Sequence, residues 1–263
     1  MLDKRSVKYY IADAFAEEIF KGNPAGVCVC DEALPAELMQ KIAFENNFSE
    51  TAFLVKCGEM YKLRWFTPLF EIDLCGHATL ASSFIVMNYV EPSLNEVRFS
   101  TVSGEILVKR NGELYEMQFP ERIPEKIEVT SEISEALGLV PEEAYTGRDL
   151  IAVLKTEEAV RNFSQDYEKL GNLKKWLGIV VTAKGEKADF VSRFFMPELK
   201  LEDPVTGSAH SSLVPLWREK LGKTVFEAEQ LSKRGGKLYC EQGDGFVKIS
   251  GKAALYLKGE IFA

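Results

Sequence analysis

Histidine is scarce in this chain: there are two, His77 and His210, beside five cysteines (Cys28, Cys30, Cys57, Cys75 and Cys240) that include no Cys-x-x-Cys pair. So few ligands at such spacings give little support to a zinc site. An odd cysteine count without framework spacing argues against a disulfide scaffold and for reduced thiols. Cys28 and Cys30 alternate within Gly26-Val27-Cys28-Val29-Cys30, as small residues do in a strand. Excess positive charge is also missing. The formal net charge is −8, so there is no basic stripe to displace counterions from a nucleic-acid backbone. No apolar run approaches bilayer-spanning length, and Met1 to Tyr10 is charged and lacks a signal-peptide core, which points to the cytoplasm and away from membranes. The Gly-x-Ser-x-Gly elbow, the Gly-x-Gly-x-x-Gly turn and the Walker loop are absent as well, leaving hydrolase and dinucleotide readings without motifs.

The chain does contain a duplication. Arg64-Trp65-Phe66-Thr67-Pro68 precedes Glu71-Ile72-Asp73-Leu74-Cys75-Gly76-His77-Ala78, and Arg193-Phe194-Phe195-Met196-Pro197 precedes Asp203-Pro204-Val205-Thr206-Gly207-Ser208-Ala209-His210. In each copy an aromatic run ends in proline, an acidic loop follows, and Gly-x-Ala opens an apolar helical pattern. A period near half of 263 residues implies two like domains and not a solenoid. Residues 1–122 and 123–263 are the expected halves, with the charged, proline-bearing Pro120 to Pro124 as linker. A hydrophobic content of 46% and a charged content of 27% suit a soluble globular protein with two ordinary cores.

Strand patterns dominate the remainder. Lys8 to Ala14, Ala52 to Val55, Tyr61 to Phe66, Glu105 to Val108 and Leu114 to Phe119 alternate or carry β-branched and aromatic residues. The second half adds Leu177 to Ala183, Ala188 to Phe195 and four closing candidates ending at Leu255 to Ile261. Helical spacing follows Pro35 as far as Asn46 and covers Gly76 to Tyr89, where little polar face is left. Gly207 to Leu221 is helical too, with Pro215 predicting a kink or early break. A polar helix is expected over Glu157 to Leu170. The fold class is α+β.

Glycine at a helix start lets backbone approach a ligand, and the free N–H groups of a first turn bind carboxylate or phosphate. Two such ends, one per half, suit a small anion held between domains. The competing explanation is that Asp73, Asp203 or Thr206 caps its own helix. Glu50, at the mouth of the apolar strand Ala52-Phe53-Leu54-Val55, reads by itself as a solvated loop carboxylate.

Four motifs, in order along the chain, change that reading. Gly-Asn-Pro-Ala-Gly-Val from Gly22, Asn-Phe-Ser-Glu-Thr-Ala-Phe from Asn47, Leu-Cys-Gly-His-Ala-Thr-Leu-Ala from Leu74, and Asp-Pro-Val-Thr-Gly-Ser-Ala-His from Asp203 resemble the phenazine-biosynthesis isomerase-like (PhzF-like) family. The resemblance implies a diaminopimelate-epimerase-like fold in which each domain wraps an antiparallel sheet around a central helix. It implies a cofactor-independent isomerase that moves a proton on a small carboxylate-bearing substrate. Glu50 matches the family's acid/base, with His77 and Asp203 beside it in the catalytic set, while Gly76, Gly207 and Ser208 match substrate-binding positions. The chemistry is coherent, because a carboxylate desolvated at the end of an apolar strand can take and return a proton near neutrality. No metal is implied, and a homodimer is compatible with the resemblance.

Two alternatives belong to other classes. A racemase or epimerase of this fold places a cysteine beside each repeated turn. Cys75 fits the first copy, whereas the second has Thr206 at that point. A non-catalytic small-ligand-binding protein on the same fold is the other, since fold does not fix function. A Cys75–His77 hydrolytic dyad lacks an orienting group.

Overall fold

The structure is a computed structural model and describes residues 6–263. The chain divides into two compact units, one of residues 1–118 with 250–263 and the other of residues 119–249.

In the first unit β1 (Ser6–Ala14) pairs antiparallel with β2 (Asn23–Cys30), and α1 (Ala36–Asn46) then carries the chain to β3 (Thr51–Cys57), parallel to β2. β4 (Met60–Phe66) returns antiparallel to β3, and the two-residue β5 (Glu71–Ile72) folds back on it. Then α2 (Gly76–Ile85), continued by a π-helical turn over Val86–Val90, crosses to β6 (Glu96–Thr101), parallel to β4. The antiparallel β7 (Gly104–Asn111) and β8 (Leu114–Pro120) follow.

The second unit repeats this order. It comprises β9 (Glu125–Ile127), α3 (Ser131–Leu137), β10 (Glu143–Thr146) and β11 (Leu150–Val153), then the short helices α4 (Glu157–Arg161) and α5 (Tyr167–Leu170). Next come β12 (Ile179–Lys184), β13 (Phe190–Met196), β14 (Leu201–Asp203), α6 (Gly207–Leu221), β15 (Val225–Gln230), β16 (Gly236–Gln242) and β17 (Phe246–Gly251). β11 runs parallel to β12 and β13 parallel to β15, while the other recorded pairs of this unit are antiparallel. The last strand, β18 (Ala253–Phe262), pairs with β1 from Phe262 opposite Ser6 to Ala253 opposite Ala14.

The α+β class stands, with two corrections. The sheets are mixed and not antiparallel, because a parallel neighbour needs a crossover, and α1 and α2 in one unit, α4 with α5 and α6 in the other, supply it. β18 belongs to the first unit and not to residues 123–263: its register with β1 takes it there, as β9 takes the same place beside β10.

Helices α2 and α6 are buried for the reason their composition suggests. Nine of the ten α2 residues are buried, and the helix packs on β1, β2, β3 and β18. The opposite face of β1–β4 receives α1, where Met39, Ile42 and Ala43 meet Cys28, Cys30, Phe53 and Phe66. All five cysteines are free thiols. The expected break at Pro215 does not occur, and α6 is continuous over 15 residues. Proline frees the carbonyl four residues earlier, and the Ser211 carbonyl accepts the Arg122 N–H at 3.0 Å. The polar stretch expected as one helix from Glu157 to Leu170 is two short ones, each started by a side-chain cap, Thr156 and Asp166.

The duplicated arginines mark equivalent positions. Arg64 pairs with Glu71 at 2.6 Å, and Arg193 pairs with Glu202 at 2.7 Å while also donating to the Phe163 carbonyl at 2.6 Å. Burial separates the copies: side-chain exposure is 37% and 32% for Arg64 and Glu71 but 9% and 16% for Arg193 and Glu202. Breaking a buried pair strands a charge, whereas an exposed one is largely solvated already. In urea unfolding, Arg193→Met is expected to cost about 3 kcal/mol or more, and Arg64→Met less than about 1 kcal/mol.

Candidate active site

Strand register aligns the two turns residue by residue. Thr51 lies opposite Phe66 as Ile179 lies opposite Phe195, and Glu71 and Glu202 take the next places. Counting on from these, Cys75 corresponds to Thr206, Gly76 to Gly207, His77 to Ser208, and Glu50 to Gly178. Asp73 and Asp203 are not counterparts, because the same count sets Asp73 against Pro204 and Ile72 against Asp203. Neither helix is capped by the residue at its start, as the Cys75 and Thr206 side chains make no capping hydrogen bond.

In the first unit, the end of β3 and the start of α2 bring three groups together. Glu50 stands just before β3, with its side chain 16% exposed, and His77 in the first turn of α2 is 7% exposed. His77 Nε2 lies 3.1 Å from Glu50 Oε2. The pair is at ion-pair distance but is not aligned as a hydrogen bond, and neither buried atom has a hydrogen-bond partner among the described residues. On the other side of the ring, His77 Nδ1 faces Cys75 Sγ at 3.6 Å and the Asn23 side-chain amide at 3.1 Å. Glu50 is thus no solvated loop carboxylate.

Charges in this cluster are coupled. Burial opposes a charged imidazole, yet Cys75 and Glu50 outweigh it and hold the His77 pKa well above the ordinary value. Burial, followed by the neighbouring Glu50 charge, pushes the Cys75 thiol up and outweighs His77, so Cys75 is a poor nucleophile despite sitting at a helix start. The ligand atoms of Glu50, Cys75 and His77 fall within 4.8 Å of one another, close enough for a shared cation. Thiol and carboxylate face opposite nitrogens of the ring, however, and one ion binds only one of them. This arrangement suits passage of a proton better than metal ligation.

The second unit holds the other expected residues. Asp203 is buried and accepts a hydrogen bond from the Thr206 hydroxyl. The Gln230 side chain spans the turn, donating to the Asp203 carbonyl at 2.7 Å and accepting the Thr206 N–H at 2.8 Å. Gly207 opens α6, and Ser208 Oγ accepts from Arg148 Nη2 at 3.1 Å. Arg148 is in turn gripped through Nε and Nη2 by one oxygen of Asp149, at 3.0 and 2.8 Å. Where Glu50 stands in the first unit, Gly178 admits no side chain, since a Cβ would lie 2.3 Å from the Phe194 ring. A carboxylate at this place is therefore confined to the first unit.

His210 is not brought into either group. It is fully buried, lies 2.9 Å from the Thr206 carbonyl through Nδ1, and packs 5.8 Å from the Phe190 ring. Burial pulls its pKa down to about 4. Sequence reading left out Asn23, Arg148, Asp149 and Gln230. Asn23 belongs to one of the four motifs and was legible there. Arg148, Asp149 and Gln230 lie far from the repeated turn in sequence, and only strand pairing brings them to it.

Comparison with known proteins gives the class, an isomerase. Over 250 residues the chain is 45% identical to an uncharacterised isomerase of Pseudomonas aeruginosa, spanning 95% of this chain and 96% of that protein. A crystal structure of a PhzF-family phenazine biosynthesis protein from Enterococcus faecalis superposes with a TM-score of 0.96 at 50% identity, covering 98% of this chain and 100% of that one. A hydroxyproline epimerase from Agrobacterium vitis with bound trans-4-hydroxy-L-proline shares the fold alone, with a TM-score of 0.65 at 11% identity over 100% of this chain and 94% of that one. The family profile for phenazine biosynthesis-like proteins (PhzC-PhzF) matches residues 12–259, and the chain belongs to that family.

The two histidines should titrate in opposite directions. Imidazole nitrogen shifts are expected to show His77 still protonated above pH 6.5 and His210 neutral down to about pH 4, with Glu50→Gln lowering the His77 value. The stability consequences differ in sign. His210 is neutral when folded and ordinary when unfolded, so the unfolded chain binds the extra proton as pH falls from about 6.5 towards 4. That window should remove up to about 3 kcal/mol, seen as a fall in unfolding free energy that flattens in His210→Gln. His77 contributes the reverse: its stabilisation is present below pH 6.5 and lost as pH rises through its elevated folded pKa.

Proposed function

We propose that this isomerase moves a proton on a small, carboxylate-bearing substrate without a cofactor, with Glu50 as the acid/base. One observation carries the reading: Glu50 Oε2, buried and without a hydrogen-bond partner among the described residues, faces the His77 imidazole at 3.1 Å. A buried acceptor left unsatisfied is costly to keep, and a substrate proton is the partner this chemistry would offer it. Glu50 takes a proton from a substrate carbon, leaving the electron pair on the substrate as a carbanion or enolate. It returns the proton to another carbon, or to the same one, and the enzyme ends unchanged. His77, held near its charged form, stabilises the carboxylate and the developing negative charge. Asp203, fixed by Thr206, serves to orient the substrate or share a proton. Gly76 and Gly207 present backbone N–H groups, and Ser208 holds the substrate carboxylate. The five free thiols accord with a cytoplasmic enzyme.

A second reading draws on the contact between Cys75 and His77, in which the thiol is the base of a racemase or epimerase. The elevated Cys75 pKa and the threonine at its counterpart weigh against it.

Proton NMR in D₂O, with a panel of amino acids and hydroxy acids, separates the two. Cyclic amino acids head the panel, since the epimerase of the same fold binds one. Solvent exchange should fall by about 10²- to 10⁴-fold in Glu50→Gln, with ligand-induced thermal shifts retained. Full exchange in Glu50→Gln overturns the proposal, and exchange lost only in Cys75→Ser assigns the thiol. Ser208→Ala is expected to raise KM more than it lowers kcat.

A further inference from the structure

The register that aligns the two helix starts also aligns the strands leading to them. Gly26 lies opposite Thr51 and Leu150 opposite Ile179, so Gly26 corresponds to Leu150 and Pro24 to Arg148. In the first unit Asn23, beside that position, holds its amide 3.1 Å from His77 Nδ1. In the second unit Arg148 Nη2 lies 3.1 Å from Ser208 Oγ, and Ser208 is the counterpart of His77. Each unit thus sends one polar side chain from the entry to an equivalent strand to the second residue of its central helix. The chemistry differs: amide meets imidazole in one unit, and guanidinium meets hydroxyl in the other.

The guanidinium is divided between two tasks. Its Nε and Nη2 hold Asp149 Oδ2 at 3.0 and 2.8 Å, and the Asp149 side chain is 7% exposed where Arg148 is 31% exposed. Asp149 Oδ1 is buried and has no hydrogen-bond partner among the described residues, so Arg148 is the group that balances this charge. The end of the guanidinium plane away from Asp149 carries the second Nη2 hydrogen and the Nη1 group. Nη2 donates there to Ser208, and Nη1 has no partner among the described residues. A serine oxygen that accepts from a cation turns its own hydrogen away, ready to donate. Gly207 and Ser208 stand in the first turn of the 15-residue α6, where the helix dipole favours negative charge. Two carboxylates near this turn, Asp149 and Asp203, are already engaged, by Arg148 and by the Thr206 hydroxyl.

We propose that Arg148 is the charge-selecting residue of the substrate site: Nη1 and the Ser208 hydroxyl, which Arg148 turns into a donor, take the two oxygens of the substrate carboxylate. This rests on the reading of Ser208 as the carboxylate-binding residue and adds the charge that a hydroxyl lacks. Discrimination follows. A free carboxylate offers an ionised acceptor to both donors, and such charge-assisted bonds are the strong ones. The corresponding amide brings no charge and sets its own NH₂ donor against one of the two. Asp149 is a positioning residue that acts through Arg148. By fixing one edge of the planar fork it leaves the other edge pre-aimed, so little side-chain freedom is lost when the ligand binds.

The test uses the smallest suitable carboxylate. Acetate is titrated into the isotope-labelled full chain at constant ionic strength, with acetamide as its neutral isostere, and the Arg148 Nε–H and Ser208 amide signals are followed by NMR. Acetate should move both signals with about millimolar affinity, and acetamide should bind about tenfold more weakly or less. Arg148→Gln should weaken acetate by about ten- to a hundredfold. Because that change strands the buried Asp149, Arg148→Gln combined with Asp149→Asn is measured beside it and should bind no better. Unchanged amide signals away from the turn confirm that the double variant is folded. Arg148→Lys keeps the charge without the fork, and should bind acetate more weakly than wild type yet still prefer it to acetamide. Acetate that moves neither signal overturns the proposal, as does full binding in the double variant or equal affinity for acetamide. Binding is read without turnover, so an exchange result that removes Glu50 from the chemistry leaves this outcome standing, and the reverse holds as well.

Discussion

A central helix with almost no polar face sets the constraint on this structure. Helix α2, from Gly76 to Ile85, has one residue that is not buried, so it is stable only where strands surround it. Helix α2 packs on β1, β2, β3 and β18, and the crossovers through α2 and α6 leave the parallel pairs β4–β6 and β13–β15. The mixed sheets, the returning β18 and the position of both helix starts follow from that one demand. A helix so buried holds its first turn in a low-dielectric place, where Glu50 and His77 act strongly on one another.

Duplication gives two such starts, and divergence has made them unlike. Register makes Glu50 and Gly178 counterparts, yet the ring of Phe194 fills the space that a side chain at 178 would take. Cys75 faces an imidazole, and its counterpart Thr206 bonds to Asp203 and Gln230 instead. One unit therefore carries the titrating groups. The other carries a rigid turn of hydroxyl, amide and guanidinium groups. The proposed chemistry, with one acid/base and a separate carboxylate-binding turn, draws on this asymmetry. A symmetric two-thiol mechanism would need the opposite arrangement.

Burial sorts chemically identical groups into different roles. His77 and His210 both lie in the repeated turn, but Ser208, and not His210, occupies the His77 position. His210 is surrounded by Phe190 and Thr206 and stays neutral. Arg64 and Arg193 each face a glutamate, and only the second is buried enough for its loss to strand a charge.

The sequence alone determined the duplication, the α+β class, the buried character of both central helices and the four motifs that carry Glu50, His77, Asp203 and Ser208. These are local properties: side-chain periodicity, turn residues and motif order are written along the chain and survive without knowledge of what packs on what. Tertiary structure decided the rest. It returned β18 to β1, made the sheets mixed, and carried α6 through Pro215 because Arg122 satisfies the carbonyl that proline frees. It also turned Glu50 from an apparent loop carboxylate into a buried partner of His77, and brought Arg148, Asp149 and Gln230 to the second turn. Each of these depends on groups far apart in sequence, and hydrogen-bond partners at that distance are set by strand register, which no local pattern encodes.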